Sequence, residues 1–172
     1  MELTSLRAQT DRSVIVRLDS PELFRFPIAY LTEAGHWIPS DSEVQGMRNY
    51  LKKGGFVIFD DFSGDDYYNF QEQMLRVLPG MQLKELAPDH PIFDAFYRVK
   101  ELDYYHPVYC MKSIFYGIFV DNDPKKRMLA IVNYNNDVGE YWEWSDLGQF
   151  GINPSNEAYK LGINYLVYAY TR

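Results

Sequence analysis

A helix, a glycine turn, a buried strand and a pair of carboxylates follow one another in residues 40–61. Ser40 and Glu43 match the S-x-x-E capping box, in which each side chain bonds a free amide at the start of a helix. The residues just before Asp60 are all apolar, which is typical of a strand covered on both faces. Because ligands of open α/β sheets gather outside the carboxyl ends of the strands, Asp60 and Asp61 mark a candidate site.

Length and charge limit the classes of protein to consider. The chain has 172 residues, which fits one α/β domain over 1–172. Its formal net charge is −7, without a basic stripe, so we expect no nucleic-acid partner. The single cysteine excludes an internal disulfide. No apolar stretch approaches the roughly 20 residues of a membrane helix, so we expect no membrane segment in this chain.

The other elements continue the alternation of strand and helix. Short β-type runs occupy 14–18, 28–31 and 83–86, and two runs at 114–120 and 128–132 form a hairpin. Amphipathic helices follow Asp65 and Glu157, and the second of them extends to about Tyr170. In that last helix we expect an inward face made of Leu161, Tyr165, Leu166, and Tyr168 or Ala169. The polar and aromatic region 133–153 is interpreted as loop.

This order of elements predicts an α/β fold, specifically a three-layer α/β/α sandwich with a mostly parallel sheet and an edge β-hairpin. The residues at 28–32, 56–61 and 128–137 are expected to run side by side in the same direction. If they do, their polar ends meet at one rim of the sheet.

Six segments, taken in order, resemble a bacterial family known as domain of unknown function 4159. They read LDSPELF at 18–24, FPIAYLT at 26–32, GGF at 54–56, DD at 60–61, DHPIF at 89–93 and EAYKLGIN at 157–164. The resemblance implies a flavodoxin-like fold related to the class I glutamine amidotransferases. It also suggests a bacterial cell-envelope or exported protein, although the sequence itself leaves the compartment unknown.

Two departures from the family pattern accompany the resemblance. The family often has Thr-Gly-His-Gly after its second strand, whereas this chain has TEAGHW from Thr32 to Trp37. The usual first strand of the family is also missing upstream of Leu3, where Leu3, Leu6 and Ala8 have a helical pattern instead. We therefore expect that this chain lacks an upstream first strand.

The nucleophile of the amidotransferases is missing from its usual place. In those folds a cysteine follows a central strand at a sharp turn, and this chain has Asp60 and Asp61 there. Cys110 shows no pairing with a histidine and a carboxylate, so we expect a buried structural cysteine. The chain is accordingly interpreted as a noncatalytic or degenerate amidotransferase-like binding or interaction module, without a cofactor.

Polar residues after the strands supply the candidate ligand contacts, and each has a plain structural alternative. Asp60 and Asp61 suit acid–base or cation-binding roles, or they cap the following turn. The histidines of the loops suit proton transfer or metal binding, or they belong to rigid turns. Amide and acid groups beside tryptophan suit a pocket, or an ordinary loop over an aromatic core. The candidate residues are Thr32, His36, Asp60, Asp61, His90, Asn135, Asp137 and Trp142.

Besides a purely structural role, in which the domain supports neighbouring parts of a larger envelope protein, two functions remain open from the sequence. The first is binding of a small polar ligand or a protein segment by this crevice, with no catalytic residue assigned. The alternative is a metal-assisted hydrolase that uses Asp60 or Asp61 together with His36 or His90, although no spacing motif identifies a metal site.

Overall fold

The structure is a computed structural model that describes residues 14–99, 102 and 108–172. The helical pattern of Leu3, Leu6 and Ala8 lies outside the described residues, and the expectation of a missing upstream strand stays a prediction. The short β-type run at 14–18 is not a strand, because these residues pair with no other strand.

Five strands form one sheet in the order β1-β2-β5-β4-β3. They are β1 (Ile28–Leu31), β2 (Phe56–Phe59), β3 (Lys84–Glu85), β4 (Ile114–Phe119) and β5 (Met128–Tyr134). The three strands β1, β2 and β5 are parallel, whereas β4 is antiparallel to both β5 and β3.

The sheet is therefore mixed, and the prediction of a mostly parallel sheet is wrong. The short loop between β4 and β5 forces these strands to run in opposite directions. The predicted hairpin is present, but it is not at the edge, because β5 lies in the middle of the sheet and β3 covers the outer side of β4. The nearly unbroken apolar sequence of β5 suits this central position.

Helices pack on both faces of the sheet. They are α1 (Asp41–Lys52), α2 (Asp66–Val77), α3 (Val138–Glu143) and α4 (Ile152–Thr171). The predicted capping box at the start of α1 is confirmed, with the reciprocal bonds of Ser40 and Glu43 both formed. The interpretation of 133–153 as loop is wrong in part, because Asp137 caps a short helix there by accepting a hydrogen bond from the amide of Glu140.

Alternation along β2 divides the core into two layers. Val57 and Phe59 pack with α1 and α2, whereas Phe56 and Ile58 pack with α3 and α4. The inward face of α4 consists of Leu161, Tyr165 and Tyr168, together with Ala158. Leu166 was predicted to belong to the buried face, but it is 46% exposed.

Helix α1 passes very close to the chain that precedes the first strand. A Cβ atom placed on Gly46 would lie 2.0 Å from the carbonyl oxygen of Leu18, a contact that only a backbone shift relieves. This contact explains why a glycine stands in the middle of a helix.

We expect Gly46→Ala to lower the free energy of unfolding by about 1–3 kcal/mol through overpacking, although alanine is the better helix former. Chemical denaturation measures the change. Gln45→Ala on the exposed side of the same helix is the control, with an expected change below about 0.5 kcal/mol. A Gly46→Ala protein as stable as the parent would contradict this account of the contact.

Candidate functional site

The carboxyl ends of β1, β2 and β5 lie at the same end of the sheet. Leu31 is paired with Phe59, and Phe59 is paired with Val132. The predicted side-by-side arrangement of these three segments is therefore confirmed. Thr32 and Asp60, which follow β1 and β2, therefore lie level with Asn133 near the end of β5.

Asp60 is completely buried at the end of β2. Its Oδ2 atom accepts a hydrogen bond of 2.5 Å from the hydroxyl of Tyr30 and one of 3.0 Å from the amide of Gly139. Among the described residues, no hydrogen bond to its Oδ1 atom is complete. The side-chain amide of the buried Asn133 also favours the ionised form of the carboxyl group. Because burial outweighs these bonds, the pKa of Asp60 rises to about 6.

Asp61 has a left-handed backbone conformation, with φ of 61°, and has hydrogen-bond partners different from those of Asp60. Its Oδ2 atom accepts a 2.9 Å hydrogen bond from the hydroxyl of Thr32, and Oδ1 accepts one from the hydroxyl of Tyr109. Its backbone amide donates to the carbonyl oxygen of Asn136 at 3.0 Å. The turn after β2 is thereby tied to both neighbouring strand ends.

Asp137 is the third carboxylate at this end of the sheet. Its Oδ1 atom accepts a 2.8 Å hydrogen bond from the amide of Glu140 and so caps α3. Burial, followed by repulsion from Asp60, raises the pKa of Asp137 to about 7. Asp60, Asp61 and Asp137 are called the acidic rim below.

The remaining predicted residues do not all reach the acidic rim. The side chain of His36 is 74% exposed, and its Nε2 atom lies 4.0 Å from a carboxylate oxygen of Asp66. His90 packs against Phe119, whose partner in the sheet is Met128 at the opposite end of β5. The structure thus separates the two histidines from each other and His90 from the acidic rim.

Asn135 and Trp142 have different surroundings. Asn135 is buried, and its side chain accepts from the amide of Gly64 and donates to the carbonyl of Lys112, so it ties loops together. The ring centroid of Trp142 lies 6.0 Å from that of Tyr30. Trp142 therefore borders the acidic rim from the side of α3.

An apolar groove of about 560 Å³ runs between β1 and α4, next to the acidic rim. Its walls include Ile28, Tyr30 and Ile58 from the sheet and Trp142, Ile163 and Leu166 from the helices. Of the residues predicted for the site, only Trp142 is part of its lining. We call this cavity the β1–α4 groove.

Sequence reasoning missed Tyr30, Tyr109 and the β1–α4 groove. Tyr30 is paired with Ile58, and both side chains lie on the α4 face of the sheet. The predicted parallel pairing of β1 with β2 was therefore enough to place Tyr30 near the end of β2. The sequence also contained a sign of the groove, because the helix α4 has apolar residues on two sides. Such a helix is usually covered all round.

Cys110 and the titratable carboxyl groups bear on the chemistry of the site. Cys110 is exposed, so its predicted burial is wrong. Across residues 14–99, 102 and 108–172, no three side chains of histidine, cysteine, aspartate or glutamate are arranged to hold a metal ion. Asp60 and Asp137, whose pKa values are close to neutrality, can instead change charge when a ligand binds.

Asp60 makes the stability of the fold depend on pH. Its pKa of about 6 in the folded state exceeds its value in the unfolded chain, which is about 3.9. The protonated carboxyl group thus contributes stability that is complete below about pH 4 and is lost as the pH rises through about 6. The rise in pKa corresponds to roughly 3 kcal/mol.

We expect Asp60→Asn to remove this loss, because asparagine cannot ionise. The free energy of unfolding of the variant, relative to the parent, should increase between about pH 4 and about pH 8, as measured by urea denaturation. Asp94→Asn changes an exposed carboxylate and is the control. A difference between Asp60→Asn and the parent that stays constant with pH would contradict the elevated pKa.

Comparisons with known proteins bear on the family alone. A search of curated proteins found no significant match. Among the described helices, none combines the length and the apolar character that crossing a membrane requires. A family model described as "Domain of unknown function (DUF4159)" matches residues 1–170, nearly the whole chain. The chain therefore belongs to the DUF4159 family.

Proposed function

We propose that this chain is a noncatalytic binding domain that recognises a cationic group attached to an apolar body. The acidic rim takes the positive charge, and the β1–α4 groove takes the apolar part. The observation that carries the proposal is the position of Tyr30. Its ring lines the groove, while its hydroxyl donates to the buried carboxyl group of Asp60.

The preference for a cation follows from repulsion within the acidic rim. Burial is the largest cause of the raised pKa values of Asp137, Tyr30 and Tyr109. In addition, Asp60 and Asp61 raise the pKa of Asp137, and all three carboxyl groups raise the pKa of Tyr30 and of Tyr109. Oδ1 of Asp60 is also buried without a hydrogen bond. A positive charge nearby would stabilise the ionised form of each carboxyl group.

The preference for an apolar body follows from the groove. Its volume of about 560 Å³ lies within the range of about 300–1,000 Å³ typical of ligand pockets. Its walls are mainly aliphatic and aromatic side chains, and the hydroxyl of Tyr30 links it to the acidic rim. A ligand that is polar throughout would leave these walls without a partner, so the expectation of a small polar ligand is revised to an amphiphilic one.

The proposal keeps the suggested relation to the amidotransferase-like, flavodoxin-like fold. Helices on both faces of the sheet support that relation, and aspartates stand where a nucleophile would follow the strand. The proposed bacterial origin and cell-envelope location rest on the family resemblance. Metal-assisted hydrolysis receives less support, because His90 lies at the opposite end of the sheet from Asp60.

Three probes of matched shape test the proposal, namely phenylpropylamine, phenylpropanol and phenylpropionate. We expect the amine to bind most tightly and the carboxylate most weakly, as measured by calorimetry or by tryptophan fluorescence. Asp137→Asn should weaken amine binding about 10-fold and leave the alcohol unchanged, since a charge-assisted hydrogen bond is worth about 1.5–3 kcal/mol.

Asparagine caps helices as well as aspartate does, so this substitution preserves the start of α3. Asp94→Asn is the matched control away from the rim and should bind all probes like the parent. Equal affinities for the amine and the alcohol, or an Asp137→Asn protein that binds the amine like the parent, would overturn the proposed function.

Amine binding should also strengthen as the pH rises from about 5 to about 8. Burial places the pKa values of Asp60 and Asp137 at about 6 and about 7, so both groups ionise across this interval. The probe amine stays protonated over the same range, because alkyl amines have pKa values near 10 or above, like lysine. Titrations at several pH values check this, and an affinity independent of pH would contradict the role of the rim.

A further inference from the structure

The first observation concerns the open edge of the sheet at β1. The order of strands places β1 outermost, with β2 as its only neighbour among the described strands. The amides of Phe56 and Asp60 donate to the carbonyls of Pro27 and Leu31, which identifies the residues of β1 that face β2. By alternation along the strand, the main-chain groups of Ile28 and Tyr30 face outward.

The outward amides and carbonyls of Ile28 and Tyr30 can form hydrogen bonds with a further strand. In the described part of the chain, no hydrogen bond from another loop or helix reaches the amide or carbonyl of either residue. The strand carries no charged side chain, and each of its four residues is at least partly exposed. A row of this kind is a template for pairing with an extended segment.

The second observation is that the open edge and the β1–α4 groove adjoin each other. The side chains of Ile28 and Tyr30 form the sheet wall of the groove, and Leu166 and Ile163 of α4 form the opposite wall. Tyr30, Ile163 and Leu166 are 42%, 36% and 46% exposed. A strand added to β1 would direct every second side chain into this groove.

We infer that the groove and the edge together bind an extended peptide segment, which joins the sheet beside β1. The segment carries apolar side chains at alternate positions and a lysine or arginine that reaches the acidic rim. This inference rests on the proposed function and adds the class of partner. The basic residue follows from charge complementarity with Asp61 and Asp137, and the strand conformation follows from the open main-chain groups.

A second copy of the chain fits this surface less well. Each copy has a formal net charge of −7, and the acidic rim stands at the end of the same edge. Pairing two such edges would bring the negative charges of two acidic rims together, whereas a basic segment is attracted by the negative potential of the rim. The partner we infer is therefore a different chain segment with positive charge.

Capped peptides of the pattern Val-Thr-Ile-Thr-Val test the inference, with a lysine added at the amino or at the carboxyl end. We expect one of the two to bind at least about 10-fold more tightly than the same peptide with glutamate in place of lysine. Hydrogen exchange of the Ile28 and Tyr30 amides should slow on binding. A peptide N-methylated at alternate residues, which lacks the donors facing β1, should bind at least about 10-fold more weakly.

Two leucines with similar exposure provide matched variants of the protein. Leu166→Lys places a charge in the groove and should abolish peptide binding. Leu75→Lys on α2, where the leucine is 41% exposed against 46% for Leu166, should leave binding unchanged. Urea denaturation of both variants confirms that they are folded.

The outcomes separate this inference from the proposed function. If phenylpropylamine binds in an Asp137-dependent way but neither lysine peptide does, or if the N-methylated peptide binds equally well, strand addition is overturned and the proposed function stands. If the amine fails as well, both are overturned. Self-association detected by sedimentation and removed by Leu166→Lys would overturn the inference in favour of a second copy.

Discussion

The parallel pairing of β1, β2 and β5 is the constraint on which the site depends. The inner strands β2 and β5 are buried along nearly their whole length, so their main-chain groups must be paired with neighbouring strands, and β1 supplies the partner on one side of β2. The amide of Asp60 still takes part in this pairing, because it donates to the carbonyl oxygen of Leu31. Alternation then places the side chain of Asp60 on the same face as Ile58, beneath the helices on that side. The burial of this carboxyl group is a consequence of strand register.

A buried carboxyl group needs compensation, and its neighbours supply only part of it. Tyr30 and Gly139 donate to one oxygen atom, while the other oxygen completes no hydrogen bond. The remaining imbalance appears as the raised pKa values of Asp60 and Asp137. Sites that hold ionisable groups close to their pKa are sensitive to an arriving charge. This is the physical link between the fold and a binding role.

Much of the framework followed from local sequence signals. The capping box of α1, the strand at 56–59 and the hairpin at 114–132 each depend on a few adjacent residues, and the structure confirms them. The parallel arrangement that unites Thr32 with Asp60 and Asp61 was also predictable from the order of elements.

The errors concern contacts between residues distant in sequence. The place of β4 inside the sheet, away from its edge, depends on the pairing of β4 with β3, which a two-residue strand hardly signals. Helix α3 was missed because its short sequence has little periodicity and starts from a cap at Asp137. Leu166 was assigned to the core because a helix that is apolar on two sides gives no single inward direction.

The second apolar side of α4 and the open edge of β1 pose a common physical problem. Exposed strand edges and apolar surfaces both invite unspecific association, and proteins usually protect them with charges. Here the protecting charge is not on the strand itself, because Ile28–Leu31 contains no ionisable group other than the tyrosine hydroxyl. It stands at the end of the strand, in the acidic rim. In the proposed binding mode, repulsion from this rim disfavours acidic segments and further copies of the chain, while the same field attracts a basic partner, so the same carboxylates act against self-association and for selectivity.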